Sequence, residues 1–123
     1  MPKYSQHHVH HESADVPAVI EWYKALFDAN VEGPVDRDGV PWAFVHIGDT
    51  QITLTSREAT GIDLVRYKGY DHLALSTDDF DGTMARVKEC DVDIFFGPKG
   101  DKGSRMVFVS GPDNIKIELI EKK

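Results

Sequence analysis

The sequence predicts an α+β fold made of two tandem βαβββ modules, the first over about residues 5–60 and the second over about 68–123 of one domain. A repeat and two hydrophobic periodicities predict it. His8 and His72 stand 64 residues apart (72 − 8), as do Asp15 and Asp79 (79 − 15), and Gly33-Pro34 recurs at the same offset as Gly97-Pro98. A fixed offset of this kind is the signature of a duplicated unit. Each half opens on a short alternating segment, continues with an Asp-capped amphipathic run, and finishes with three further strand-like segments.

The opening strand of the first half is His8 to Glu12. Asp15 is a good helix N-cap, Pro17 suits a first turn, and Val16, Ile20, Tyr23 and Phe27 recur on one helical face until about Asn30. A weaker strand starts at Val31 or Val35, and stronger ones cover Pro41 to Ile47 and Gln51 to Ser56. The second half repeats the scheme. Asp71 to Ser76 is its opening strand, Asp79 caps a helix carrying Phe80, Met84 and Val87, and strands follow at Asp93 to Phe96, Arg105 to Val109 and Lys116 to Glu121.

A chain of 123 residues buries roughly two-thirds of its unfolded surface, enough for a real core. Its 21 acidic against 14 basic residues give a formal charge of −7, which repels phosphate backbones and anionic membranes, so neither nucleic acid nor membrane is an expected partner. The segment MPKYSQHHVHH has no apolar run of signal-peptide type, and nothing approaches the roughly 20 apolar residues of a membrane span. A cytoplasmic location is expected. Cys90 is the sole cysteine, cannot form an internal disulfide, and reads as a buried thiol near a helix end. Trp22, Tyr23, Phe27 and Trp42 read as core or dimer contacts.

Residues two apart in a strand share a face. One face collects His8, His10 and Glu12; Gln51, Thr53 and Thr55; His72, Ala74 and Ser76; and Lys116 and Glu118. The other carries Val9, Ile52, Leu54, Leu73, Leu75, Ile117 and Leu119, apolar enough to receive the helices. The repeat makes His8 equivalent to His72 and Thr53 equivalent to Glu118, with the preceding turns expected to differ by two residues. Two neutral imidazoles and one carboxylate, His8, His72 and Glu118, make a competent site for one divalent metal, with positions left for water or substrate. Thr53 is a poor fourth ligand. The choice among Ni, Zn, Mn, Co and Fe stays open. Of the remaining amino-terminal histidines only His10 shares the face of His8. The paired aspartates lack EF-hand spacing and read as caps and turns.

Three segments carry a resemblance: His8 followed by Asp15 and the helix WYKALF, then YDHLALSTDD containing His72, then GPDNIKIELIE containing Glu118. Together they resemble the vicinal oxygen chelate superfamily, which includes glyoxalase I, fosfomycin-resistance proteins, extradiol dioxygenases and drug-binding proteins. The resemblance covers nearly the whole chain and implies a curved mixed sheet around a metal-binding cavity. It also implies a homodimer, His8 of one subunit meeting His72 and Glu118 of the other.

The glyoxalase I branch uses a His and a Glu from each module, and here Thr53 replaces the first Glu. Extradiol dioxygenases share the two-His, one-carboxylate set, but their tyrosine ten residues before the metal Glu is Phe108 here. Fosfomycin-resistance proteins resemble the chain at TLTSRE, and phosphonate binding would have to draw on Lys99, Lys102 or Arg105. The loop GPKGDKGS fits a lid or a plain surface loop. The leading expectation is a metal-dependent lyase or isomerase acting on a small substrate through its vicinal oxygens and an enediolate. Glu118, or a metal-bound hydroxide, is the expected base, with His10 assisting proton transfer and Gln51, Thr53, Thr55, Ser76, Phe108 and Lys116 lining the substrate. The alternatives are an extradiol-type dioxygenase, a fosfomycin-resistance-like transferase, and a non-catalytic drug-binding protein.

Overall fold

The computed structural model describes Lys3 and residues 6–56 and 72–122. The expected strand start at Asp71, Arg57 and Glu58 of TLTSRE, Tyr70, and the module limits near 5, 60, 68 and 123 lie outside the described residues. The chain divides into two compact units, Met1–Ile62 and Asp63–Lys123.

In the first unit the order is β1 (Val9–Glu12), α1 (Val16–Phe27), β2 (Asn30–Arg37), β3 (Val40–Ile47) and β4 (Thr50–Thr55). Helix α1 begins where Asp15 Oδ1 accepts the Ala18 amide at 3.1 Å and ends at Asp28, whose φ of 52° takes the chain out of the helix. It buries Val16, Val19, Ile20, Tyr23 and Leu26 over a sheet face made by Ala43, Val45, Ile52 and Leu54. The sheet order is β1-β4-β3-β2, with β1 parallel to β4 and the rest antiparallel.

The second unit repeats this as β5 (Leu73–Thr77), α2 (Phe80–Glu89), β6 (Asp93–Lys99), β7 (Met106–Ser110) and β8 (Lys116–Glu121), in sheet order β5-β8-β7-β6. Asp79 Oδ1 accepts the Gly82 amide at 3.0 Å, mirroring the first cap. Helix α2 buries only Phe80 and Val87, and Val107, Val109, Ile117 and Leu119 supply the sheet side of this core.

The α+β fold with tandem βαβββ units is as expected, with one correction. Among the described residues the strands form two four-stranded sheets rather than one mixed sheet, because each opening strand pairs with the last strand of its own unit. Strand β2 covers both Val31 and Val35, and β6 runs past Phe96 to Lys99. In both, the register shifts around a cis Gly-Pro bond. Gly33 (φ 89°) and Gly97 (φ 88°) are required there: a Cβ would stand 2.8 Å from the Trp42 carbonyl oxygen or 3.0 Å from that of Met106. The β3–β4 turn joins His46 to its partner Gln51, and the β7–β8 turn joins Ser110 to Lys116. The two turns therefore differ by one residue, not two. Gly48 and Gly111 are not equivalent positions, since the second turn is a short 3-10 helix, Pro112–Asn114.

Asp28, Asp38, Asp91 and Asp113 occupy left-handed backbone positions, as expected of turn aspartates. Cys90 is half-buried at the C-cap of α2 rather than fully buried, because it sits where the helix leaves the sheet. No helix among the described residues is long and apolar enough to cross a membrane.

Candidate functional site

In the second unit His72 immediately precedes β5, so it is not a strand residue as expected. Its Nε2 lies 3.1 Å from Oε2 of Glu118 on β8. The register sets Ala74, Glu118, Phe108 and Phe96 in one row. The Phe108 ring meets the His72 ring edge-on at 4.8 Å, and Phe96 lies 6.4 Å from Phe108. Ser76 pairs with Ile120, and Ile120 with Met106, so this face is mostly apolar, contrary to the polar lining expected. The expectation fails because β6 and β7 contribute aromatic and sulfur side chains at the same parity. Lys116 lies on this face with its Nζ over the Phe95 ring at 5.1 Å.

Two ligands about 2.1 Å from one metal, at angles between square and tetrahedral, are about 3.0–3.4 Å apart. The His72 nitrogen and Glu118 oxygen have that spacing, so the pair fits two ligand positions of a divalent ion. Among the described residues no group of three or more His, Cys, Asp or Glu is assembled for a metal.

In the first unit His8 immediately precedes β1, equivalent to His72. It is exposed, and its Nδ1 lies 2.7 Å from Nδ1 of His7. His10 Nε2 lies 2.6 Å from Thr55 Oγ1, which donates to Glu12 Oε1 at 2.9 Å. A hydroxyl has one hydrogen. With that hydrogen on Glu12, Thr55 accepts from His10, so Nε2 carries the ring proton and Nδ1 is the basic nitrogen of neutral His10. Thr55 is fully buried and Thr53 nearly so. Thr53 pairs with His10 on one side and Phe44 on the other, and Gln51 pairs with His46. His11 points to the other face, where its Nδ1 hydrogen-bonds the Tyr23 hydroxyl at 3.0 Å in the core.

Trp42 is half-buried rather than part of the core. It is neither core nor a bare surface aromatic: it pairs with Thr55, its ring lies 6.0 Å from that of His10, and the Arg37 guanidinium rests over it. Strand parity carried the signal, since 42, 44, 53 and 55 share one side of the β3–β4 pair. Arg105, weighed as a phosphonate contact, is instead bound to Glu121 and Asp81. Its backbone amide and that of Gly103 also donate to Glu121, anchoring the end of the GPKGDKGS loop.

Residues 5–119 match the sequence profile described as Glyoxalase/Bleomycin resistance protein/Dioxygenase superfamily, and the chain belongs to that family. No curated protein matches the sequence. Among solved structures, the chain is similar to a glyoxylase/bleomycin resistance protein/dioxygenase domain from Frankia sp. EAN1pec, with 20% identity over 99% of this chain and 94% of that one and a TM-score of 0.83. It is also similar to a point mutant of the fosfomycin resistance protein FosX from Listeria monocytogenes, with 16% identity over 99% and 95% of the two chains and a TM-score of 0.79. That protein is complexed with Mn(II) and 1S,2S-dihydroxypropylphosphonic acid. A mutant of glyoxalase I from Zea mays shares 23% identity at a TM-score of 0.75, over 92% of this chain and 43% of that one. At these identities the likeness is one of fold.

Proposed function

We propose that the protein is a divalent-metal-dependent lyase or isomerase of glyoxalase type, working in the cytoplasm on a small molecule with vicinal oxygens. It is read as one domain of two modules, about 5–60 and 68–123. The observation that carries this reading is the His72–Glu118 pair, a nitrogen and a carboxylate oxygen 3.1 Å apart on a mostly apolar sheet face. His8, the repeat partner of His72, is the third ligand, supplied by the second copy of a homodimer.

When bound, the metal supplies Lewis acidity that stabilises an enediolate. Glu118 takes the proton from the carbon next to the substrate carbonyl, and Phe108 keeps water from the His72 ring. Glu118 returns that proton to the neighbouring carbon, and His10 assists the transfer through Nδ1, which the Thr55 and Glu12 hydrogen bonds leave without a hydrogen and so able to accept one. Gln51, Ser76 and Lys116 orient the substrate, and Thr53, nearly buried between His10 and Phe44, supports His10. Thr55, being fully buried, acts through His10 rather than on the substrate itself.

The test is the metal content of tag-free protein beside His8→Ala, His72→Ala and Glu118→Ala. One metal per chain, lost in the variants, is expected and justifies assays with hemithioacetals, 2-oxo thioesters, catechols and fosfomycin. A parent protein that takes up none of Ni, Zn, Mn, Co or Fe overturns the enzyme reading and leaves a ligand-binding module.

A further inference from the structure

Arg37 ends β2, and its guanidinium carbon lies 5.1 Å from the centroid of the Trp42 ring and 5.6 Å from that of Phe44. A guanidinium stacks well on aromatic faces because it is planar and weakly hydrated, and stacking leaves the donors at its edge pointing away from the rings. No described carboxylate pairs with it. Asp36 Oδ1 accepts the Gly39 amide at 3.0 Å, and Glu32 lies 3.8 Å from His46. Among the described residues Arg86 pairs with Glu89, and Arg105 with Glu121 and Asp81, whereas Arg37 has no ion pair or hydrogen bond. In so acidic a chain, a guanidinium laid over two rings and joined to none of the described carboxylates is a fork of donors ready for an outside acceptor.

Its position gives that acceptor an address. Phe44 pairs with Thr53, and Trp42 with Thr55, while His10 pairs with Thr53, so the two rings and His10 share one face of the first sheet. At the equivalent places the second unit has Asp101 and Met106 instead of Arg37 and Trp42. We infer that Arg37, with Trp42 and Phe44, is a binding site for the oxyanion of a small organic acid, whose planar or apolar part lies along Trp42 toward His10. The inference deepens the proposed function by giving its substrate an anionic arm, and rests on that function only in calling the ligand a substrate.

The experiment is a titration of the full chain, kept in EDTA, with benzoate, phenylphosphonate and benzamide, followed by NMR at the Arg37 Nε–H and the Trp42 indole N–H. Benzoate or phenylphosphonate is expected to shift both signals, the stronger of the two identifying the preferred oxyanion, and benzamide to bind at least about tenfold more weakly. Arg37→Gln is expected to weaken the anion about tenfold and leave benzamide unchanged, with Arg37→Lys in between. Equal binding of benzoate and benzamide by the parent protein overturns the inference without recourse to a variant. So do shifts confined to lysines, or anion binding untouched by Arg37→Gln. Because chelator is present throughout, failure here leaves the metal reading standing, and failure of the metal measurement leaves this site standing.

Discussion

Arg105 and Glu121 meet as a two-pronged ion pair, Nη2 donating to Oε2 at 2.7 Å and Nε to Oε1 at 3.0 Å. The Arg105 hydrogen bonds hold the Glu121 carboxyl down at about 2, below its ordinary value of 4.5, helped by the Gly103 and Arg105 amides against the opposing effect of burial. A carboxyl depressed in the folded state stabilises it above the unfolded value, and that contribution disappears as pH falls through the folded value. Glu121→Gln is therefore expected to lower the melting temperature at neutral pH, with the gap to the parent closing between about pH 4.5 and about pH 2. Thermal denaturation across that range checks it, and a gap independent of pH refutes it.

The two helix caps are expected to be of similar strength. Asp15→Ala and Asp79→Ala each remove one side-chain acceptor from a first-turn amide, at a cost of about 1 kcal/mol in urea denaturation. Asp→Asn at either position is expected to retain most of the stability.

Thr55 bridges His10 and Glu12 from a fully buried position. Thr55→Val keeps the volume and removes the hydroxyl, so a loss of about 1–3 kcal/mol is expected. Thr55→Ser restores the bridge and most of the stability, and an equal loss in both variants would point to packing instead.

Mixing variants tests whether the proposed metal site spans two chains. His8→Ala and His72→Ala are each expected to lose metal alone, whereas a refolded mixture regains up to one ion per heterodimer, since one of its two sites keeps both histidines. A site contained in one chain gives no recovery, and metal analysis of the mixture separates the two outcomes.

Much of the architecture was legible because His8, Asp15 and Gly33 recur 64 residues later in roles that backbone geometry enforces: strand entry, helix cap and a left-handed residue against a carbonyl. His72 and Glu118 were legible as neighbours on one face, although His72 stands just before β5 rather than within it. Trp42 was not legible as a site neighbour, because a large aromatic fits a core as well as a ligand-facing position until its strand is registered against Thr55. Arg105 looked available to an anion because the chain places Glu121 16 residues away, and only the β7–β8 register brings them together. The apolar character of the second face was hidden for a related reason, since Phe96 lies on β6, whose register shifts obscure simple alternation, and Met106 and Phe108 join that face only through the pairing of β7 with β8.

The parallel pairing of β1 with β4 has a kinetic meaning. Val9 meets Ile52 only after the helix and two strands between them have been gathered in, whereas β3 and β4 close a tight turn at once. Chain closure over a long segment is the slower event. Each unit is then expected to assemble its hairpins first and zip its opening strand last, with amide protection at Val45 and Ile52 developing ahead of Val9 in pulse-labelled refolding. His8 and His72 both stand at the threshold of such a late strand, so the two histidines that would grip the ion are among the last residues to come to rest.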